Sequence, residues 1–250
     1  MNPLVEKYRY FLKDSLRLTM DFSLTDQNRG IKPPPIEKPY PAGAPRIDLA
    51  NKEDLESICG IDLFSAINNR KSHRDFSNEP LTLKELSLLL WATQGIRGKV
   101  NEFATFRTVP SAGCRHALET YICVLNVTGL ETGIYRYLPV EHQLLVLASD
   151  KALSEKLVDA TLNQTFTGRA AVTFAWTAVP YRMEWRYDIA AHKVIALDAG
   201  HVCQNLYLAC EAIGCGTCAV GAYHQELMDK LLDVDGVDEF TLYLAAVGKL

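Results

Sequence analysis

Apolar positions along the chain recur with two different periods, and this mixture predicts both strands and helices. Short, mostly apolar runs flanked by turn residues predict strands at 121–127, 133–138, 143–148, 170–179 and 240–247. Helical spacing predicts helices at 4–19, 62–69, 82–94, 151–164, 198–213 and 224–232. Because strands and helices do not alternate strictly, the pattern indicates an α+β or irregular α/β domain whose mixed sheet has 170–179 as a central strand.

Residue types that cap helices mark some of these boundaries. Thr82 is followed three residues later by Glu85, the capping-box pattern of a helix N-terminus. Asp198 is expected to cap the long helix at its start, and Gly214 to end it in a left-handed conformation.

Residues 1–60 are expected to form an N-terminal helix and a proline-rich extended arm ahead of a compact domain at 61–250. Six prolines stand between positions 33 and 45, a density that excludes a helix and a central strand. The stretch 31–48 is either a flexible linker or, as we favour, an arm that wraps the domain or a partner subunit.

Composition narrows the class of protein. Hydrophobic residues make up 48% of the 250 positions, enough to bury a sizeable core without disulfides. The net charge of −4 weighs against nucleic acid or an anionic membrane as the main partner. No apolar run reaches the roughly 18 residues of a membrane span, and the N-terminus lacks the apolar stretch of a signal peptide. A cytoplasmic location is therefore expected.

The first candidate functional cluster is Arg70-Lys71-Ser72-His73-Arg74. In an extended segment, residues two apart share a face, so Arg70, Ser72 and Arg74 point the same way. Two guanidinium groups flanking a hydroxyl suit a phosphate group, which accepts charge-assisted bonds. A solvated basic loop is the alternative.

Two further segments are rich in small residues. Pro110-Ser111-Ala112-Gly113 is typical of a turn and permits close approach of a ligand to the backbone. The strip 214–222 is nearly free of bulky side chains, so it can lie flat against a planar ring and present N–H groups to it.

That strip also contains a Cys-x-x-Cys pair, Cys215 and Cys218, among seven cysteines in the chain. A thiol redox pair is disfavoured because the pair follows a helix C-terminus, where the helix dipole does not favour a thiolate. The spacings of Cys203, Cys210, Cys215 and Cys218 also match no familiar zinc or iron–sulfur pattern, so no metal site is predicted. We favour small packed side chains.

Taken together and in order, these motifs resemble those of the flavin-dependent nitroreductase superfamily, and more narrowly of its SagB-type dehydrogenase branch, as a stand-alone member. The resemblance runs from about residue 60 to the C-terminus. It rests on 70–76 (Arg-x-Ser-x-Arg-x-Phe), 110–113, 198–201 (Asp-Ala-Gly-His), 214–222 and 247–248.

The resemblance implies a three-layer α/β/α fold with a mixed, mostly antiparallel sheet, an intertwined homodimer, and FMN at the dimer interface. It implies that FMN is held by Arg70, Lys71, Ser72, Arg74, Pro110, Ser111, Ala112, Gly113, Gly216, Gly221, Ala222 and Lys249, with residues 110–112 donated by the other subunit. A backbone N–H near Gly221 and Ala222 would face the flavin.

The expected function is an FMN-dependent transfer of hydride from NAD(P)H to a small electron-poor acceptor of nitro or quinone type. The alternatives are azoline dehydrogenation, as in SagB-type relatives, a flavin-binding or storage protein without turnover, and a thiol redox protein. Azoline-oxidising relatives carry a Lys-Tyr pair where this chain has Arg186-Tyr187. Arginine is a poor base, so Tyr187 is the one candidate for a catalytic side chain.

Overall fold

A computed structural model describes residues 2–250, which fold into one large sheet with helices on both faces. The helices are α1 (Pro3–Leu12), α2 (Lys52–Leu55), α3 (Leu63–Asn69), α4 (Leu83–Gln94), α5 (Leu153–Ala160), α6 (Tyr181–Tyr187), α7 (Ala191–Ala212) and α8 (Gln225–Leu232). The strands are β1 (Arg46–Asp48), β2 (Ile96–Asn101), β3 (Ala104–Arg107), β4 (Leu118–Val124), β5 (Gly133–Leu138), β6 (Gln143–Ser149), β7 (Val172–Ala178), β8 (Cys215–Val220) and β9 (Phe240–Lys249).

The large sheet has the strand order β1-β6-β5-β4-β7-β9-β8, with antiparallel pairing between neighbours. Isolated parallel bridges add Ser72 to β8 and Leu81 to the segment after β4. Strand β7 is buried along its whole length and lies between β4 and β9, so the prediction of a central strand at 170–179 is confirmed.

Two apolar cores separate three layers. The core on one face joins the sheet to α4 and α7 and includes Leu89, Trp176 and Leu206. The core on the other face joins it to α5 and α8 and includes Leu157 and Met228. The predicted α+β class and layered nitroreductase-like arrangement are confirmed.

Some helix boundaries follow the sequence signals and one does not. Thr82 and Glu85 form a complete capping box at α4, and Gly214 follows α7 with a φ of 67°. However, α7 begins at Ala191, so the prediction that Asp198 caps it is wrong. Asp198 lies buried in the middle of the helix, beside Ser111 and Ala112 of a distant loop.

Other differences are local. The helix predicted at 4–19 ends at Leu12, since Lys13 is extended and a short 3₁₀ turn follows at Ser15–Leu18. The strip 214–222 contains a strand, β8, which its small residues had not indicated. The hairpin of β2 and β3 was not predicted either.

The proline-rich arm lies on the body of its own chain. Backbone oxygens of Ile36 and Lys38 accept bonds from Arg107 and Arg136 at 2.8 Å. The N–H of Lys38 donates to Glu119 at 2.8 Å. Polyproline-like backbone has no internal hydrogen bonds, so these side chains satisfy its polar groups.

Within residues 2–250, no helix is long and apolar enough to cross a membrane.

Candidate functional site

The segment that carries Arg70, Ser72 and Arg74 lies along the open edge of β8. Ser72 forms a parallel bridge with Thr217, and the N–H of His73 donates to the Thr217 carbonyl at 2.9 Å. Arg70 contacts Tyr207 and Arg74 contacts Phe166, which belong to the cores on opposite faces of the sheet, so a common side for the three side chains stays a prediction. Lys71, between them, is exposed.

The two arginines of this segment stack on aromatic rings instead of pairing with acids. The Arg70 guanidinium lies 5.3 Å from the centre of the Tyr207 ring, and that of Arg74 lies 5.8 Å from the Phe166 ring. In the part of the chain that the structure describes, neither forms an ion pair with a carboxylate. Their positive charge is therefore available to an anion.

Tyr207 ties this segment to β8. Its hydroxyl lies 2.9 Å from the Ser72 hydroxyl and accepts the N–H of Ala219 at 2.9 Å. Sequence reasoning missed Tyr207, which lies in the apolar pattern of α7. The available signal was that a buried tyrosine hydroxyl needs a polar partner.

The outer edge of β8 carries polar backbone groups at every second residue, because N–H and C=O of one residue point the same way in an antiparallel strand. Those of Thr217 and Ala219 bond to His73 and Tyr207. Gly221 follows the last residue of β8 with the same parity, so its N–H is expected at the same open edge. A side chain at Gly221 would meet nothing closer than 4.0 Å, whereas the Ala222 carbonyl accepts from Gln164 at 2.8 Å.

Glycines allow the 70–76 segment to approach the sheet. A Cβ on Gly216 would lie 2.8 Å from His73, and one on Gly248 would lie 2.8 Å from Phe76. Gly216 thus serves close packing in the structure. Lys249 forms an ion pair with Glu85 at the start of α4. The ammonium group that the resemblance implies for FMN binding is therefore already paired with a carboxylate.

The Pro110–Gly113 loop lies against Asp198 in α7. Burial raises the pKa of the Asp198 carboxyl more than Ser111 and the Ala112 N–H lower it, and within residues 2–250 the buried Oδ2 atom has no hydrogen-bond partner. Ser111 also accepts the N–H of His116 at 2.9 Å. Two of the sequence motifs, 110–113 and 198–201, are therefore in direct contact.

Arg186 and Tyr187 lie directly against Gly113. This glycine has a φ of 59°, and a Cβ there would lie 2.7 Å from the Tyr187 hydroxyl and 2.8 Å from Nε of Arg186. Nε of Arg186 donates to the Tyr187 hydroxyl at 3.1 Å. The structure thus brings the candidate catalytic residue beside the predicted flavin-lining loop.

The two clusters are separated along α7. The loop is held at Asp198, and Ser72 is held at Tyr207, nine residues further on. At 1.5 Å per residue this separation is about 13 Å. The structure of one chain therefore does not bring the 110–113 loop to the Arg70 cluster.

Cys215 and Cys218 belong to different cores on opposite faces of the sheet, as residues three apart in a strand must. The hypothesis of a thiol redox pair is therefore wrong. Both side chains are buried free thiols. Among residues 2–250 there is no group of three or more His, Cys, Asp or Glu side chains arranged to hold a metal ion.

Comparison with known proteins places this geometry in a family. The model of the nitroreductase family matches residues 67–249. A Methanocaldococcus jannaschii protein described as "Putative nitroreductase MJ1384" is 34% identical over 78% of this chain and 94% of its own length. The trifolitoxin-processing protein TfxB of Rhizobium leguminosarum is 27% identical, over 74% of this chain and 52% of its own length.

A solved structure from Ralstonia eutropha, described as a "putative nitroreductase", is 25% identical with a TM-score of 0.67. The match covers 86% of this chain and 97% of that one.

Proposed function

The chain belongs to the nitroreductase family of oxidoreductases, and we propose that it uses FMN to pass hydride from NAD(P)H to a small electron-poor acceptor of nitro or quinone type. The observation that carries this proposal is the Arg70–Ser72–Arg74 face at the open edge of β8. Its two guanidinium groups lack acidic partners in the described residues, and its hydroxyl is held in place by Tyr207.

The residues present fit FMN by their chemistry. Arg70 and Arg74 offer bidentate donors to a phosphate, and Ser72 offers a hydroxyl. The Gly221 N–H is proposed to face the open edge, where a planar ring can approach, and a Cβ on Gly221 would have Tyr243 as its nearest neighbour at 4.0 Å. The remaining residues proposed to line the cofactor are Lys71, Gly216, Ala222 and the loop Pro110, Ser111, Ala112 and Gly113. Lys249 is the weakest member, because Glu85 already pairs with it.

When bound, FMN supplies the hydride chemistry. The protein then needs only to position the ring and to exclude competing reactions. Arg70, Ser72 and Arg74 bind the phosphate end, and Tyr207 orients Ser72. The Gly221 N–H donates toward the ring, and Asp198 keeps the 110–113 loop in a fixed conformation.

We also propose that the working unit is a homodimer. One chain holds the 110–113 loop about 13 Å along α7 from the Arg70 cluster, and we propose that the loop of a second copy lines the flavin bound at that cluster. The exposed side of α7 offers a surface for this purpose, formed by the small or apolar Ala196, Leu197 and Gly200 and the polar His201 and Gln204. Apolar residues of α3, among them Phe64 at 79% exposure, extend it.

The test is an absorbance spectrum of the purified protein, followed by anaerobic addition of NADH or NADPH. We expect the two-band spectrum of oxidised FMN, bleaching with one of the nucleotides, and recovery when a quinone is added. A colourless protein that does not take up added FMN would refute the proposal. A flavin spectrum that neither nucleotide bleaches would indicate a flavin-binding protein without turnover.

A second candidate is azoline dehydrogenation, which the similarity to the trifolitoxin-processing protein TfxB favours. That reaction needs a base to remove a proton as hydride leaves, and general base catalysis contributes roughly 10²–10⁴ in rate. Here the Tyr187 oxygen already accepts Nε of Arg186, and the arginine stays protonated. We therefore expect little oxidation of a thiazoline peptide. Efficient loss of two mass units from such a peptide would reverse the order of the two candidates.

A further inference from the structure

Arg186 and Tyr187 present two unused hydrogen-bond donors beside the 110–113 loop. Nε of Arg186 donates to the Tyr187 oxygen at 3.1 Å, and Nη1 donates to the Gln27 side chain at 3.2 Å. Within residues 2–250, Nη2 of Arg186 has no hydrogen-bond partner, and the Tyr187 hydroxyl hydrogen has no acceptor. Both side chains are only partly buried, so a ligand can reach them.

The positive charge of this pair is not neutralised by the surrounding protein. Arg186 forms no ion pair with a carboxylate of the described residues, and neither does its neighbour Arg115. Arg115 is buried against the Trp185 ring at 4.8 Å and donates to the Arg182 carbonyl. Burial lowers the pKa of Arg115, and the nearby Arg186 charge lowers it further.

All but one of the nearby acidic groups are engaged elsewhere. Glu184 pairs with His192, and Asp14 pairs with Arg17, whose guanidinium lies 5.6 Å from the Tyr187 ring centre. Asp198 is buried beside Ser111 and Ala112 of the 110–113 loop, and burial raises its pKa. Asp188, which follows α6, is exposed and forms no ion pair among residues 2–250. With Arg186 and Arg115 unpaired and Asp188 the one unpaired acid among these groups, the surroundings of Gly113 keep an excess of positive charge among the described residues.

We propose that Arg186 and Tyr187 bind the carboxylate of a small aromatic or quinonoid acceptor, and so select anionic over neutral acceptors. This inference rests on the proposed function, since it places the acceptor at the loop proposed to line FMN. A carboxylate has two oxygens, one for the Arg186 Nη2 group and one for the Tyr187 hydroxyl. Gln27, from the N-terminal segment, holds the guanidinium in position.

The geometry also explains the residue at position 186. A lysine ammonium is a point charge on a flexible stem, whereas a guanidinium can bond Tyr187 and Gln27 and still present a third donor. Arg186 therefore serves as a binding group, which agrees with its unsuitability as a base.

The test is calorimetric binding of benzoate and benzamide to the oxidised, flavin-loaded protein, because these two ligands match in shape and differ in charge. We expect benzoate to bind at least about 10-fold more tightly than benzamide, as for a charge-assisted contact. Arg186→Gln should remove this preference, and Tyr187→Phe should weaken it. Lys151→Gln, which removes an exposed charge beside α5 on the opposite face of the sheet, should leave it unchanged.

A kinetic version compares 4-nitrobenzoate with 4-nitrobenzamide. Arg186→Gln should raise KM for 4-nitrobenzoate about 10-fold or more while kcat for 4-nitrobenzamide stays within about twofold. Equal benzoate and benzamide affinities in the wild-type protein would overturn the inference. The inference would also be overturned if Arg186→Gln bound NADPH more weakly but still preferred benzoate to benzamide. Failure to bind flavin would refute the proposed function instead.

Discussion

The hydroxyls of Ser72 and Tyr207 lie 2.9 Å apart, although 135 positions separate them in the chain. Tyr207 also accepts the N–H of Ala219, so a single side chain from α7 joins the 70–76 segment to the edge of β8. Arg70 stacks on the same ring at 5.3 Å. Tyr207 is therefore the point at which the three parts of the proposed phosphate site meet.

Tyr207→Phe should weaken FMN binding while leaving the fold intact. The ring still packs and still supports Arg70, but Ser72 and the Ala219 N–H lose their partner. The loss of such a neutral bond corresponds to about 2- to 10-fold in affinity. Fluorescence titration of the apoprotein with FMN measures the effect. The matched control is Tyr135→Phe in β5. The Tyr135 hydroxyl donates to the Glu131 carbonyl, away from the proposed site, so this variant should bind FMN as the wild type does.

Arg70→Ala should lower FMN affinity by roughly 10- to 150-fold, because it removes a charge-assisted contact to the phosphate. Arg46→Ala makes the same change at β1, the opposite edge of the sheet, and should have no effect on FMN binding. The same titration gives both affinities. Equal affinity in the wild-type and Arg70→Ala proteins would show that the phosphate binds elsewhere.

Leu197→Glu should dissociate the proposed homodimer and reduce flavin occupancy together. Leu197 is 55% exposed on the uncovered side of α7, and a charge there cannot be buried against a second copy without a large penalty. Analytical ultracentrifugation at nanomolar concentration should show two chains in the wild type and one in the variant. Val237→Glu, at a residue 76% exposed in the turn before β9, is the control. A wild-type monomer with full flavin occupancy would exclude the shared site.

Arg182→Met should destabilise the protein by about 3–5 kcal/mol, because it leaves Glu119 buried without its partner. The two side chains are 2% and 3% exposed and form a direct ion pair, and Glu119 also holds the arm through the Lys38 N–H. Adding Glu119→Gln to Arg182→Met should restore part of the loss. Urea denaturation of the three variants and the wild type measures the coupling. A decrease in the free energy of unfolding of less than about 1 kcal/mol for Arg182→Met alone would contradict this prediction.

Ionisation of Glu37 should lower the free energy of unfolding as the pH rises from 4.5 to 7. Burial, with smaller contributions from Glu119 and Glu141, raises the pKa of Glu37 from 4.5 to about 7. The folded state therefore binds more protons than the unfolded state in this window, so the free energy of unfolding falls with pH.

The Glu37→Gln variant isolates this effect from other titrating groups. Relative to the variant, the wild type should lose of the order of 1–3 kcal/mol between pH 4.5 and 7. Glu53→Gln, on the exposed side of α2, should show the wild-type dependence. If the free energy of unfolding of the wild type minus that of Glu37→Gln is constant or rises with pH, Glu37 ionises normally in the folded state.

Local signals predicted the elements whose reasons are local. The capping box at Thr82, the left-handed Gly214 and the buried strand at β7 each depend on neighbours within a few residues. Spacing by two predicts one side for Arg70, Ser72 and Arg74, but Arg70 and Arg74 contact rings that belong to different cores of the sheet. The strand at 215–220 was missed, since its small residues carry weak β propensity and it is defined by pairing with β9.

The sequence by itself determined which segments are helical or extended, which residues offer charge to a phosphate, and which family pattern they follow. Only the tertiary structure decided that Asp198 lies beside the 110–113 loop instead of capping a helix, and that Tyr207 holds Ser72. It also separated Cys215 from Cys218 and paired Lys249 with Glu85. The physical reason is range: periodicity and capping act within a few residues, whereas these contacts depend on the register of the sheet and on how α7 docks against it.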